Sequence, residues 1–141
     1  MQAALLSALT IMAILVGTSA ANSKENVNGD LMVKLTKTIE SAVGSGVKAT
    51  LKDPGSAQLR YSTAFKSKEL SSADMTITIV CGTVNAKNSF GGYVGERMFK
   101  ATVATLKDTG KTFAIGPVSI QGNEPSEKFL RYHGRECVWR D

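Results

Sequence analysis

The side chains able to do covalent or acid–base chemistry are few: Cys81, Cys137 and His133, the two cysteines and the single histidine of the chain. A thiolate nucleophile needs a base such as histidine within hydrogen-bond reach, which admits only Cys81–His133 or Cys137–His133. Neither cysteine stands in a nucleophile motif, and a disulfide between them would remove both thiols. One histidine and two cysteines also fall short of a zinc ligand set, so no metal and no cofactor is expected. Glu124, Glu127 and Glu136 are separated by Lys128, Arg131 and Arg135, the pattern of a solvated helix face rather than of a paired acid and base. His133, beside Phe129 and Tyr132, reads as a packing or surface residue. Tyr132 and Trp139 read as cover for the end of a sheet. No residue is assigned a catalytic role, and the chain reads as non-enzymatic.

Binding chemistry is denser in VCGTVNAKNSFGGYVG, residues 80–95, and the Glu96-Arg97 that follows. Lys87 and Arg97 could meet an anion, Tyr93 offers aromatic area, and Asn85 and Asn88 offer amides. Gly91, Gly92 and Gly95 permit positive φ and close backbone approach. No GK[ST] follows, and the segment runs into a strand rather than a helix, so neither a phosphate loop nor a dinucleotide fingerprint is present. Two readings stay open. Asn85, Lys87, Asn88, Tyr93 and Arg97 form a binding loop, or the segment is a wide hairpin whose Asn and Gly residues make side-chain-capped turns and a bulge.

The compartment bears on the cysteines. Residues 1–21 combine an apolar run from Ala3 to Val16 with small residues up to Ala20 and Ala21, which reads as a secretory signal peptide. The apolar run is shorter than the roughly 20 residues of a spanning helix. Residues 22–141 then form a single small domain. All charged residues lie in that part, with a net charge of +5 in which 12 acids are interspersed. Without a Lys/Arg block, this reads as a solvated surface and gives no reason to expect nucleic acid. A periplasmic or secreted location is expected, with membrane contact only through an uncleaved N-terminal segment. In an oxidising compartment an even cysteine count favours a Cys81–Cys137 disulfide; two buried thiols, or a catalytic thiol, are its rivals.

The elements that position these residues follow from periodicity. NSKENVNG, residues 22–29, reads as a polar lead-in. Asp30 suits a helix N-cap, with Met32, Leu35, Ile39, Ala42 and Val43 at helical spacing after it. Gly44-Ser45-Gly46 is expected to end that helix, Val47 and Leu51 to mark a second short piece, and Asp53-Pro54-Gly55 to stop it. From Leu59 the period is two: Leu59, Tyr61, Thr63 and Phe65 alternate with Arg60, Ser62, Ala64 and Lys66. Met75, Ile77, Ile79 and Cys81 share the inward face of a second strand. A third runs from Tyr93 or Arg97 to Thr105. After the Asp108-Thr109-Gly110 turn a fourth begins at Thr112, and Pro117 puts its end at a sheet edge or outside the sheet. Asn123 can cap a last helix with Pro125 in its first turn, closed by Gly134. The expected fold is α+β: one or two N-terminal helices, a roughly four-stranded antiparallel sheet, a short C-terminal helix and one disulfide.

LKDPGSAQLR at 51–60 together with VCGTVNAKNSFGGYVG at 80–95 resembles a group of small exported Gram-negative bacterial proteins. In that group a helix ending in Lys-Asp-Pro precedes a strand, then a Cys-Gly-x-Val-Asn-x-Lys-Asn loop, then Gly-Gly-Tyr. The match spans about residues 46–100. It implies an envelope setting and a small α+β domain, and it transfers neither an activity nor a catalytic residue. The expected function is to bind another envelope protein, in an inhibitor, immunity or exclusion-type role. The alternative is a small-ligand or anion-binding module built on residues 85–97.

Overall fold

The computed structural model of the protein describes residues 24–26 and 28–140. The expected signal peptide and its cleavage point fall outside these residues, as does the side chain of Trp139. The fold is α+β, with an antiparallel sheet and one disulfide. In chain order it comprises β1 (Glu25–Asn26), β2 (Leu31–Met32), α1 (Lys37–Lys48), a 3₁₀ turn (Pro54–Ser56), β3 (Gln58–Lys66), β4 (Met75–Asn85), β5 (Arg97–Leu106), β6 (Thr112–Ile120), α2 (Ser126–Tyr132), a 3₁₀ turn (Arg135–Cys137) and β7 (Trp139–Arg140). The sheet order is β6-β5-β4-β3-β2-β1-β7. β3 to β6 are the expected meander; the sheet is wider than four strands because three two-residue strands extend it beyond β3.

The N-terminal part departs most from the periodicity reading. Asp30 caps no helix. It is buried with Asn26, whose Nδ2 donates to the Asp30 carboxylate and to the Glu136 carbonyl, both at 3.1 Å. The Asn26 Oδ1 accepts from the backbone N–H of Asn28 at 2.9 Å and of Asp30 at 3.0 Å. The Lys68 N–H donates to Asp30 Oδ1 at 2.8 Å. With its acceptors committed there, Asp30 closes a tight hairpin, Leu31–Met32 pairs with Lys66 and Phe65, and part of the polar lead-in becomes β1. The helix begins instead at Lys37, where Thr36 Oγ1 accepts from the Ile39 N–H at 3.3 Å as N-cap.

Nor does Gly44-Ser45-Gly46 end that helix; α1 continues to Lys48. Glycine costs a helix about 1 kcal/mol relative to alanine, but here it lets α1 approach the sheet. A Cβ on Gly46 would stand 2.9 Å from the Ala114 Cβ and 3.6 Å from Val118. One on Gly44 would stand 3.3 Å from the Tyr61 hydroxyl.

The buried Val43 and Val47 of α1 pack on Ala64, Val80, Val84, Phe99, Ala101 and Val103, which form the main core. Leu59 and Tyr61 border the same core, although simple alternation puts them on the face of Thr63 and Phe65. A bulge at Ser62 shifts the register of β3 against β4 between Tyr61 and Thr63 and reverses the alternation. Ile77, Ile79 and Cys81 are buried as expected, but on the face opposite α1. Both faces of β4 are thus covered: Thr78 is buried as well.

The C-terminal segment covers that second face. Its helix starts at Ser126, with the Pro125 carbonyl accepting from Lys128 and Phe129 N–H, so Asn123 is not its cap. Phe129 is buried, and Leu130 packs against Ile79, Cys81 and Cys137. The Cys81–Cys137 disulfide joins them with a Cα–Cα distance of 5.8 Å. Lys100, opposite Cys81 on β5, pairs with Glu136 at 3.3 Å. Beyond the disulfide β7 pairs with β1. β6 runs through Pro117 to Ile120 because it is the terminal strand of the sheet. Its register against β5 shifts between Lys100 and Thr102, where Gly116 takes a φ of 65°.

Candidate functional site

The β4–β5 connection, residues 86–96, is built by its asparagines. Asn88 Oδ1 accepts from the backbone N–H of Phe90 at 2.9 Å and of Gly92 at 3.1 Å. Its own N–H donates to the Gly92 carbonyl at 2.9 Å, and the Gly91 N–H returns to the Asn88 carbonyl at 3.1 Å. Asn85 Oδ1 accepts from the Gly95 N–H at 3.1 Å. Gly91 and Gly95 take φ of 81° and 91°, a region that disfavours other residues. Gly92 does not, and a Cβ there would meet only Asn88 Oδ1 at 3.9 Å. The loop is therefore an internally bonded structure.

Its base is fixed to the rest of the molecule. Lys87 and Tyr93 form a bridge across the loop, and the Lys87 Nζ lies 5.5 Å from the centre of the Tyr93 ring, a cation–π distance. The Tyr93 hydroxyl accepts from Gln58 Nε2 at 3.5 Å. The Lys87 N–H donates to Ser56 Oγ at 2.8 Å, and Ser56 Oγ donates to the Asp53 carbonyl at 2.9 Å. The LKDPGS turn and the VNAKN segment, separate in the sequence, are hydrogen-bonded neighbours.

Among the exposed residues of the loop are three large apolar ones. Phe90 at its tip is 95% exposed, with Tyr93 and Val94 exposed behind it. Beneath lies a cleft of about 430 Å³ between this loop, the segment after α1 and the end of β6. Leu51, Val84, Ala86, Val94, Val118 and Ile120 supply its apolar surface. Lys52, Lys87, Asn88, Arg97 and Gln121 supply its polar surface, and among the described residues no carboxylate lines it. Gln121 is engaged: its Nε2 donates to the Glu124 carbonyl at 2.9 Å and its Oε1 accepts from the Met98 N–H at 3.1 Å.

Of the residues singled out in the sequence, Lys87, Asn88 and Arg97 share this cleft. Tyr93 stands beside it, stacked on Lys87. Asn85 is committed to holding Gly95. Sequence reasoning missed Phe90, although a phenylalanine set between serine and two glycines, outside any alternating strand, is a usable sign of an exposed aromatic. It also missed Lys52, which only the folding of α1 against β6 brings to the cleft. His133 is exposed, its ring 5.8 Å from that of Phe129, and the disulfide leaves no free thiol for it to activate among the described residues. The described residues include no cluster of three His, Cys, Asp or Glu side chains placed to hold a metal.

Comparison of the chain with known protein families, with curated proteins and with solved structures returns no match.

Proposed function

We propose that this chain is an exported, non-enzymatic protein whose β4–β5 loop docks another protein of the bacterial envelope. The observation that carries this reading is Phe90, 95% exposed at the tip of a loop braced by its own hydrogen bonds. Leaving a large aromatic in water forgoes about 1.5–3 kcal/mol of burial. A pre-ordered loop also loses little conformational freedom on binding. Tyr93 and Arg97 belong to the residue types enriched among interface hot spots. The disulfide is compatible with an oxidising compartment.

The test is partner capture from envelope extract with Phe90→Ala and Tyr93→Ala proteins, read beside their melting temperatures. Capture falls while melting stays near that of the wild type. If capture falls only as far as stability does, or not at all, the docking surface lies elsewhere. The cleft itself favours a second reading, a small-anion module, because cations and, among the described residues, no acids line it. Phosphate that co-purifies with the protein and is lost on Lys87→Gln substitution would support that reading.

A further inference from the structure

The polar rim of the cleft offers donors. Lys52, Lys87 and Arg97 line one concavity, and among the described residues no ion pair joins any of them to a carboxylate. Glu96, the nearest acid in sequence to Arg97, is taken by Arg60 at 3.5 Å. Asn88 has its Oδ1 committed to two backbone amides, so its Nδ2 donor is what it can offer a ligand. The Ala49, Thr50 and Leu51 N–H groups engage the carbonyls of Ser45, Val47 and Lys48, and Thr50 Oγ1 also donates to Val47. Three like charges around one concavity repel one another, and an anionic occupant relieves that repulsion. The floor of Leu51, Val84, Val118 and Ile120 adds a second requirement, because a bare anion would cover it poorly.

We propose that the cleft binds an acidic peptide segment of the docked protein, one that carries Asp or Glu beside a large aliphatic or aromatic residue. This inference rests on the loop-docking reading. A peptide is favoured over a small anion by what surrounds the cleft. Val94 belongs both to the cleft lining and, with Tyr93 and Phe90, to the exposed surface of the loop. A chain leaving the cleft can cover these side chains, whereas a small anion leaves them in water. The carboxylates meet Lys52, Lys87 and Arg97, and the neighbouring apolar side chain enters the floor. Electrostatic complementarity of this kind sets partner choice and association rate.

The test is a displayed library of random peptides, about twelve residues each, selected on the purified full chain. The probe is then a synthetic copy of an enriched peptide, titrated by fluorescence anisotropy. Selected peptides carry Asp or Glu next to a large apolar residue. Binding weakens by about tenfold on Lys52→Gln/Arg97→Gln substitution and again as salt rises from 50 to about 500 mM. Changing the peptide's acids to amides has the same effect as the protein substitutions. Melting temperatures accompany each variant, and if Arg97→Gln disturbs the fold, the exposed Lys52→Gln alone carries the comparison. The proposal is overturned if selected peptides lack acids, or if the double variant binds acidic peptides as well as the wild type does. It is overturned equally if inorganic phosphate binds with the same residue dependence and no peptide is selected, or if only phosphatidylglycerol vesicles bind. Loss of partner capture in Phe90→Ala with full capture in Lys52→Gln/Arg97→Gln would leave the loop reading standing and remove this one.

Discussion

Gly82 sits where β4 has no room for one more carbon. A Cβ there would run into the Arg60 carbonyl oxygen and stand 2.9 Å from the Phe99 ring. Gly82→Ala is expected to destabilise the fold by about 3 kcal/mol, the upper end for overpacking a tight core, as read by urea denaturation. Asn88 has the opposite profile. It is exposed, and its contribution is local order, so Asn88→Ala should cost about 1 kcal/mol or less in global stability. Hydrogen exchange at the Phe90 and Gly92 amides should nevertheless quicken, because their acceptor is gone. Unchanged exchange would mean that the loop is ordered by something else. Tyr61 donates its hydroxyl to the Glu40 carbonyl at 2.8 Å. Burial, then the Glu40 charge, hold its pKa above the ordinary tyrosine value. A folded pKa above the unfolded one means that this contribution is complete below about pH 10 and is lost as pH rises through the folded pKa. Tyr61→Phe should therefore flatten the alkaline fall in stability, which a series of melts above pH 9 would measure.

At the scale of elements, close approach of helix and sheet decides between local propensity and tertiary fit. Gly46→Ala improves helix propensity by about 1 kcal/mol, yet its Cβ meets Ala114 at 2.9 Å. The expected net effect is a destabilisation of about 1–2 kcal/mol, seen as a lower melting temperature. A gain would show that α1 can move away from β6 at little cost. The same competition explains which elements were legible in the sequence. β4 and β5 could be read because their apolar residues alternate and few breakers interrupt them. The start of α1 could not, because Met32, Leu35 and Ile39 lie at helical spacing whether or not Met32 is helical. Asp30 resembles a cap until Asn26 and Lys68 are seen to occupy its oxygens. The single extra residue at Ser62 reversed the faces of β3, and no local pattern announces a bulge. Within the site, the residues of the loop were legible as polar and aromatic types at short range. Lys52 was not, since its place in the cleft depends on where α1 ends against β6.

For the whole molecule the disulfide is the covalent cross-link between the meander and the C-terminal segment. It closes a sequence separation of 56 residues. In the chain-entropy account such a loop contributes about 4 kcal/mol by restricting the unfolded chain. A domain of this size is stable by about 5–15 kcal/mol, so that tie is a large share. Cys137→Ser should lower the melting temperature under oxidising conditions by well over 10 °C. Wild-type protein melted with and without a reductant should show the same gap. Equal melting would mean that Phe129, Leu130 and the Lys100–Glu136 pair hold the segment down by themselves.

The pairing of β1 with β7 has a consequence for the order of assembly. Its partners, Glu25 and Arg140, come from the two ends of the described chain, while the β3–β4, β4–β5 and β5–β6 pairings join neighbours in sequence. Local pairings form early, and a contact that must close so long a loop comes late. That order predicts a stage in which the meander exists and its β3 side lacks its closing strands, with Cys81 still a thiol. During that stage the open margin can add a strand from another molecule, as unpaired edges do. Formation of the Cys81–Cys137 disulfide, in which an external disulfide oxidant takes up the two electrons and two protons of the thiols, ends the exposure by delivering β7 to the place where β1 needs it. Slow oxidation is therefore expected to prolong the stage at which this protein can aggregate through its open β3 margin.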